Sequence, residues 1–161
     1  MLKKVFVCSL VFLVLGSSFL FFKHNFSRSF HHRFTQSTDL SYENINGTSL
    51  LEKIDLPKAK SRDNDLYHYF HLEEGIEVAA NSDGEIVRFI ITGETKTVRG
   101  VGVGDTIEKI TATYGKNYYR RSEHGINILG YKDHTLNHSI EFWHDQNNTV
   151  LFFRYDLGSM E

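Results

Sequence analysis

The segment GIEVAANSDGEIVRFII, residues 75–91, matches SIEFWHDQNNTVLFFRY, residues 139–155, without a gap at a spacing of 64 positions. Ile76 meets Ile140, Glu77 meets Glu141, Val78 meets Phe142, Asp83-Gly84 meets Asn147-Asn148, Ile86 meets Val150 and Phe89 meets Phe153. Within the first copy Ile76, Val78 and Ala80 alternate with Glu77, Ala79 and Asn81, the period-two pattern of a half-buried strand. Asp83-Gly84 then supplies a turn that brings the chain back through Ile86 to Ile91, a hairpin signature. The second copy turns at Asn147-Asn148 and returns through Val150 to Tyr155. A hairpin written twice predicts an architecture built twice.

Upstream of each hairpin, SLLEKI (49–54) matches DTIEKI (105–110) at a spacing of 56. Ser49 and Asp105 each have a glutamate three positions on, Glu52 and Glu108, which is the spacing of a capping box, so a helix is expected after each. In the second unit Ile107, Ile110 and Tyr114 recur at helical spacing and Gly115 supplies a left-handed stop. Pro57 ends the first helix early. Residues 65–72, 118–122 and 125–132 read as further strands. The expected fold is α+β: an N-terminal transmembrane helix, then two tandem helix-plus-antiparallel-strand repeats, residues 45–99 and 100–158, forming a sheet with helices on one face. Val87, Phe89 and Ile91, with Leu151, Phe153 and Tyr155, are expected beneath those helices, and Glu77 and Glu141 on the solvent side.

The leader is defined by charge. Lys3 and Lys4 precede 18 residues without a charge, Val5 to Phe22, and Lys23 closes the stretch. A helix of that length spans roughly 27 Å, close to a bilayer core. The pattern predicts an uncleaved signal anchor of a single-pass cell-membrane protein, held by lipid at residues 5–22. Residues 1–4 would then form a cytoplasmic flank, residues 23–44 a juxtamembrane stalk, and the folded part would lie outside the cytoplasm. Cleavage near Gly16, Ser17 and Ser18, giving a secreted form, is the competing reading; it would leave Phe19, Leu20, Phe21 and Phe22 as an apolar tail. Residues 23–37 mix His24, His31, His32 and two arginines with Phe26, Phe30 and Phe34, as a flexible stalk or a segment lying on headgroups would.

The order of helix and antiparallel strands, twice, with GVGVGDTIEKITATYGK (100–116) opening the second copy, resembles the tandem repeat of the β-lactamase inhibitory protein family. It is also similar to the single unit of the SmpA/OmlA outer-membrane assembly lipoproteins and to small anchored proteins of Gram-positive bacteria. Gly104, Asp105, Ile107, Tyr114, Gly115, Tyr131 and Phe142 carry the likeness, over roughly residues 45 to 158. The chain lacks the inhibitor family's disulfides, its one cysteine, Cys8, lying in the apolar leader. The resemblance implies a fold and a habit of binding other proteins, not an activity.

Residues 1–38 carry five basic side chains and no acid, leaving 13 Lys and Arg against 20 Asp and Glu in the remainder. A net-negative body repels phosphate backbones at long range, so nucleic acid is not an expected partner. No catalytic, cofactor or metal signature emerges. The nine histidines are scattered: His68 and His71 point to opposite faces of a strand, and His138 and His144 are about 20 Å apart in extended chain. Gly100-Val101-Gly102-Val103-Gly104 lacks the Lys-Ser/Thr ending of a phosphate loop. The candidate contact residues are rings with polar tips, Tyr67, Tyr69 and Trp143, on a sheet face free of helices, and a second cluster of Tyr118, Tyr119, Arg120 and Arg121. The functional expectation is a membrane-anchored extracytoplasmic binding module without catalysis, its partner a protein, ligand or wall polymer; the alternative is an extracytoplasmic hydrolase whose acids converge only in three dimensions.

Overall fold

A computed structural model describes residues 27–57, 62, 64 and 66–160. Its elements run α1 (Arg28–Phe34), β1 (His68–Glu73), β2 (Ile76–Ala80), β3 (Ile86–Ile91), α2 (Ile107–Tyr114), β4 (Tyr118–Glu123), β5 (Ile126–Asp133), β6 (His138–His144) and β7 (Val150–Leu157). The strands form one antiparallel sheet of seven in the order β1-β2-β3-β7-β6-β5-β4. Both hairpins named above form, and their turns reach positive φ at Gly84 (77°) and Asn148 (63°), residue types that tolerate the left-handed region.

The two hairpins meet through their second strands. Phe89 lies opposite Tyr155, Ile90 opposite Arg154 and Ile91 opposite Phe153. Because residues 64 apart are the aligned ones, this register is unchanged when the hairpins are exchanged, and a local twofold passes through the Ile90–Arg154 pair. The register irregularities obey the same relation, one between Ala79 and Ala80, the other between Trp143 and His144.

Outside the hairpins the expected fold is corrected. The described helices are short and lie on opposite faces of the sheet, not on one. Ile107, Ile110 and Tyr114 of α2 join Val78, Phe89, Leu129, Tyr131, Phe142 and Phe153 in the main core. The α1 helix covers the other face, where His32 meets Tyr119. No helix forms after Ser49. The Glu52 carboxylate does reach back to the Ser49 N–H at 3.0 Å, but Leu51 turns to φ 66° and the backbone is drawn into pairing with β3 instead. Leu51 N–H donates to the Ile86 carbonyl and Ile86 N–H to that of Glu52. The same pair of bonds recurs as Gly104 to Val150 and Val150 to Asp105, so Glu52 corresponds to Asp105 at a spacing of 53. The alignment at 56 was three residues out of step: Ile54, not Leu51, stands where Ile107 begins α2. That helix is capped by Thr106, one residue beyond Asp105. Asp105 instead accepts from the Gly102 N–H and pairs with Lys109.

The sequence expected as a stalk packs on the sheet from residue 28 onward: Leu40 is wholly buried in the main core, and Thr38 N–H bonds the Lys132 carbonyl at 2.8 Å. Among the described residues no helix is long and apolar enough to cross a membrane. The apolar stretch Val5 to Phe22 lies outside the described residues.

One glycine is required by packing. On β5, Gly130 sits opposite Tyr119, and a Cβ there would run into the tyrosine ring, whose hydroxyl is pinned by two hydrogen bonds. Gly130→Ala is expected to cost about 1–3 kcal/mol by overpacking. In denaturant unfolding, most of that loss should return in the Gly130→Ala/Tyr119→Ala double variant relative to Tyr119→Ala alone.

Candidate functional site

On the sheet face away from α2, strand alternation brings Ser139, Glu141 and Trp143 of β6 beside Arg154 and Asp156 of β7 and Arg88 of β3. The ladder sets Glu141 directly opposite Arg154 and Asp156 directly opposite Arg88, so each acid meets its cation as a cross-strand neighbour. From the sheet edge β4 adds Tyr119 and Arg121. From above, α1 lowers Arg28 and His32. The expectation that Glu141 faces solvent is thereby overturned: it is 0 % exposed, and Glu77 is buried too. Alternation placed both opposite Ile76 and Ile140 correctly, but that side of the sheet is covered.

Glu141 receives a fork from Arg121, Nε to Oε1 at 2.9 Å and Nη2 to Oε2 at 3.0 Å. Arg154 Nη2 donates to Oε2 at 2.6 Å and the Tyr119 hydroxyl to Oε1 at 2.7 Å. Arg28 Nε stands 3.3 Å from Oε1. Asp156, also wholly buried, takes Arg88 through Nε at 2.8 Å and Nη2 at 3.1 Å, and pairs with Arg28. A carboxylate removed from water survives ionised only when opposite charge and hydrogen bonds compensate it. Burial alone would raise the Glu141 carboxyl, but Arg28, Arg121 and Arg154 outweigh it and hold the group well below the carboxylate range. Burial would likewise lower Arg28, and Asp156 and Glu141 reverse the sign.

Because Tyr119 gives its one proton to Glu141, its oxygen accepts from His32 Nε2, 3.0 Å away. His32 is therefore the neutral tautomer with its proton on Nε2. Burial first, then the charges of Arg28 and Lys132, pull its pKa down to about 3. Lys132 is itself pulled to about 8 by burial and by Arg28. Between these groups opens a pocket of about 500 Å³, lined by Arg28, Arg88, Arg121, Arg154, Glu123 and the main chain near Met160, with two serines at its mouth.

The sequence-selected residues divide across the sheet. Tyr67, Tyr69, Tyr119, Arg121 and Trp143 belong to this face, whereas Tyr118 and Arg120 point to the other, the guanidinium lying 5.3 Å over the tyrosine ring. Tyr69, Tyr119, Arg121 and Trp143 are buried and Tyr67 is half-buried. Trp143 stacks on Phe152 and is flanked by the guanidiniums of Arg121 and Arg154, at 5.6 and 4.6 Å. Its ring is thus committed inside the protein. Arg120 and Arg121 together line a smaller recess of about 140 Å³ with Asn127 and His144.

Arg28, Arg88, Arg154, Glu141 and Asp156 escaped sequence reasoning as site residues. A signal for part of the network existed: a hairpin turning at Asn147-Asn148 pairs Glu141 with Arg154, a complementary cross-strand couple. Arg28, from a segment read as stalk, had none. Among the described residues no group of three or more His, Cys, Asp or Glu could hold a metal ion. The chain matches no protein-family model, no curated protein and no solved structure.

Two outcomes follow from this geometry. Glu141→Gln leaves three buried guanidiniums short of their shared charge and should lower unfolding free energy by about 3–5 kcal/mol, read by denaturant titration. Between pH 6.5 and 4.5 the unfolded chain takes up protons that folded His32 refuses, so stability must fall with acidification. His31 and His138, also lowered, act in the same direction. Glu141, depressed from its ordinary 4.5, adds a further loss below that pH. Thermal unfolding at pH 7 and pH 5 should show a smaller drop in His32→Gln than in the parent.

Proposed function

We propose that the protein is an extracytoplasmic binding module that works without catalysis and meets its partner at the arginine-lined pocket. The observation that carries this reading is the convergence of four guanidinium groups from α1, β3, β4 and β7 on one open pocket. Each is fixed by buried carboxylates, so its orientation is set before any ligand arrives, and little side-chain freedom remains to be lost on binding. Glu141 favours binding over hydrolysis: three cations keep it ionised and its oxygens are taken, whereas a general acid needs a proton to give. Tyr67 packs on the cluster that includes Met160 and broadens the surface toward β1. The apolar leader, retained or removed, delivers this surface beyond the cytoplasm, where a protein or a wall polymer is the partner class.

Site-specific photo-crosslinking tests the surface. A benzophenone side chain at Ser29, on the pocket mouth, is expected to trap a discrete adduct in intact cells, and the same group at Lys109, on α2 across the sheet, is not. Equal yields from both positions, or none from Ser29, would count against the pocket as the contact site.

A further inference from the structure

We propose that the pocket beneath α1 accepts a phosphate ester, carried by a small soluble molecule or by a lipid headgroup. The inference rests on the binding reading above and specifies its ligand chemistry.

Charge comes first. Among the described residues, Arg28, Arg88, Arg121 and Arg154 share two buried carboxylates, Glu141 and Asp156. The remaining acid, Glu123, clamps Arg121 Nη1 from the rim with a side chain 38 % exposed. Counted over the described residues, the network keeps a surplus of two positive charges, or of one when Glu123 is included. Surplus charge in a poorly solvated site is costly unless an anion or water relieves it. A phosphate monoester carries about −1.5 to −2 near neutral pH, which is the complement of that range. The surroundings report the same field, since Arg28 depresses both His32 and Lys132 after burial has done so.

Donor geometry is the second ground. Arg154 Nε is buried and has no hydrogen-bond acceptor among the described residues; its distance to Asp156 is 3.9 Å. Among the described residues Arg88 Nη1 meets the Tyr69 hydroxyl at 3.5 Å. Both arginines line the pocket, so N–H groups remain for a ligand after the internal pairs are made. Guanidinium forks suit phosphate oxygens in geometry as well as charge. The volume, about 500 Å³, exceeds a bare ion and admits the ester's organic part.

The chain contains its own reporter. Trp143 is its only tryptophan and lies against Arg121 and Arg154, so an anion engaging either guanidinium must alter indole emission. Full-length protein in a neutral detergent would be titrated with inorganic phosphate and with glycerol 3-phosphate, against potassium chloride at matched ionic strength. A saturable emission change with the phosphates and not with chloride is expected. It should weaken about tenfold or more in Arg154→Gln and be unchanged in Lys109→Gln. Should circular dichroism show Arg154→Gln unfolded, Arg88→Lys replaces it, keeping the charge and losing the fork. Vesicles of phosphatidic acid, whose headgroup is a phosphate monoester, in phosphatidylcholine form the second arm: response there alone assigns the ester to a headgroup, and response to the soluble esters alone assigns it to a free metabolite.

Equal responses to phosphate and chloride together with no response to the vesicles, or equal binding by folded parent and arginine variants, overturn the proposal. Loss of the phosphate response with the Ser29 adduct retained would remove the anion and leave the binding surface standing. Loss of both would remove both.

Discussion

The carboxylate of Glu141 is the point on which the arrangement depends. Water has been removed from it, and an ionised acid at 0 % exposure is tolerable only inside a complete shell of donors. That shell is drawn from three separate pieces of chain: α1, β7 and β4, whose Tyr119 also holds α1 in place. Helix α1 is short, and seven residues make a marginal helix in isolation; its seat comes from Arg28 and His32 reaching into the network. The pocket opens at the same place, lined by the four guanidiniums gathered around the two acids.

The two sheet faces divide the work. One is apolar: Phe89, Phe142, Phe153, Tyr131 and Tyr155 pack beneath α2 and supply the bulk of the area removed from water. The other combines a small apolar cluster around Tyr69, Val87 and Met160 with the charged network. Burial on both sides explains why β2 shows no exposed position along its length, although its sequence alternates as a half-solvated strand would. The internal repeat extends into the polar side: Arg62 pairs with Glu77 as Arg121 pairs with Glu141, at corresponding places beside β1 and β5.

Hairpins were legible because their information is local: alternation, then a turn residue that tolerates positive φ. Register was legible too, since the turn fixes it. The first helix was misread because a capping box is also local, and after Ser49 the local preference lost to pairing of Leu51 and Glu52 with Ile86, which lies far along the chain and outside any local window. Glu141 was misread for a related reason. Its face followed from parity, but whether that face was wet depended on Arg28, more than a hundred residues earlier in the chain. Tyr67, Tyr69 and Trp143 share the face away from α2, but α1 covers part of that face, and the rings of the latter two serve the interior. The convergence of Arg28, Arg88, Arg121 and Arg154 required the strand order, with β3 beside β7, and no spacing in the sequence announces that order.

The joint between β3 and β7 bears on how the molecule is made. Strand β3 ends at Ile91, while its neighbour β7, at the middle of the sheet, begins only at Val150. A ribosome adding about 5–20 residues per second leaves that edge without its partner for seconds, its Phe89 and Ile91 side chains uncovered. During this interval the nascent chain offers an unprotected template to any other strand nearby. Because β7 lies between β3 and β6, it is the strand that joins the two halves, and without it they share no ladder.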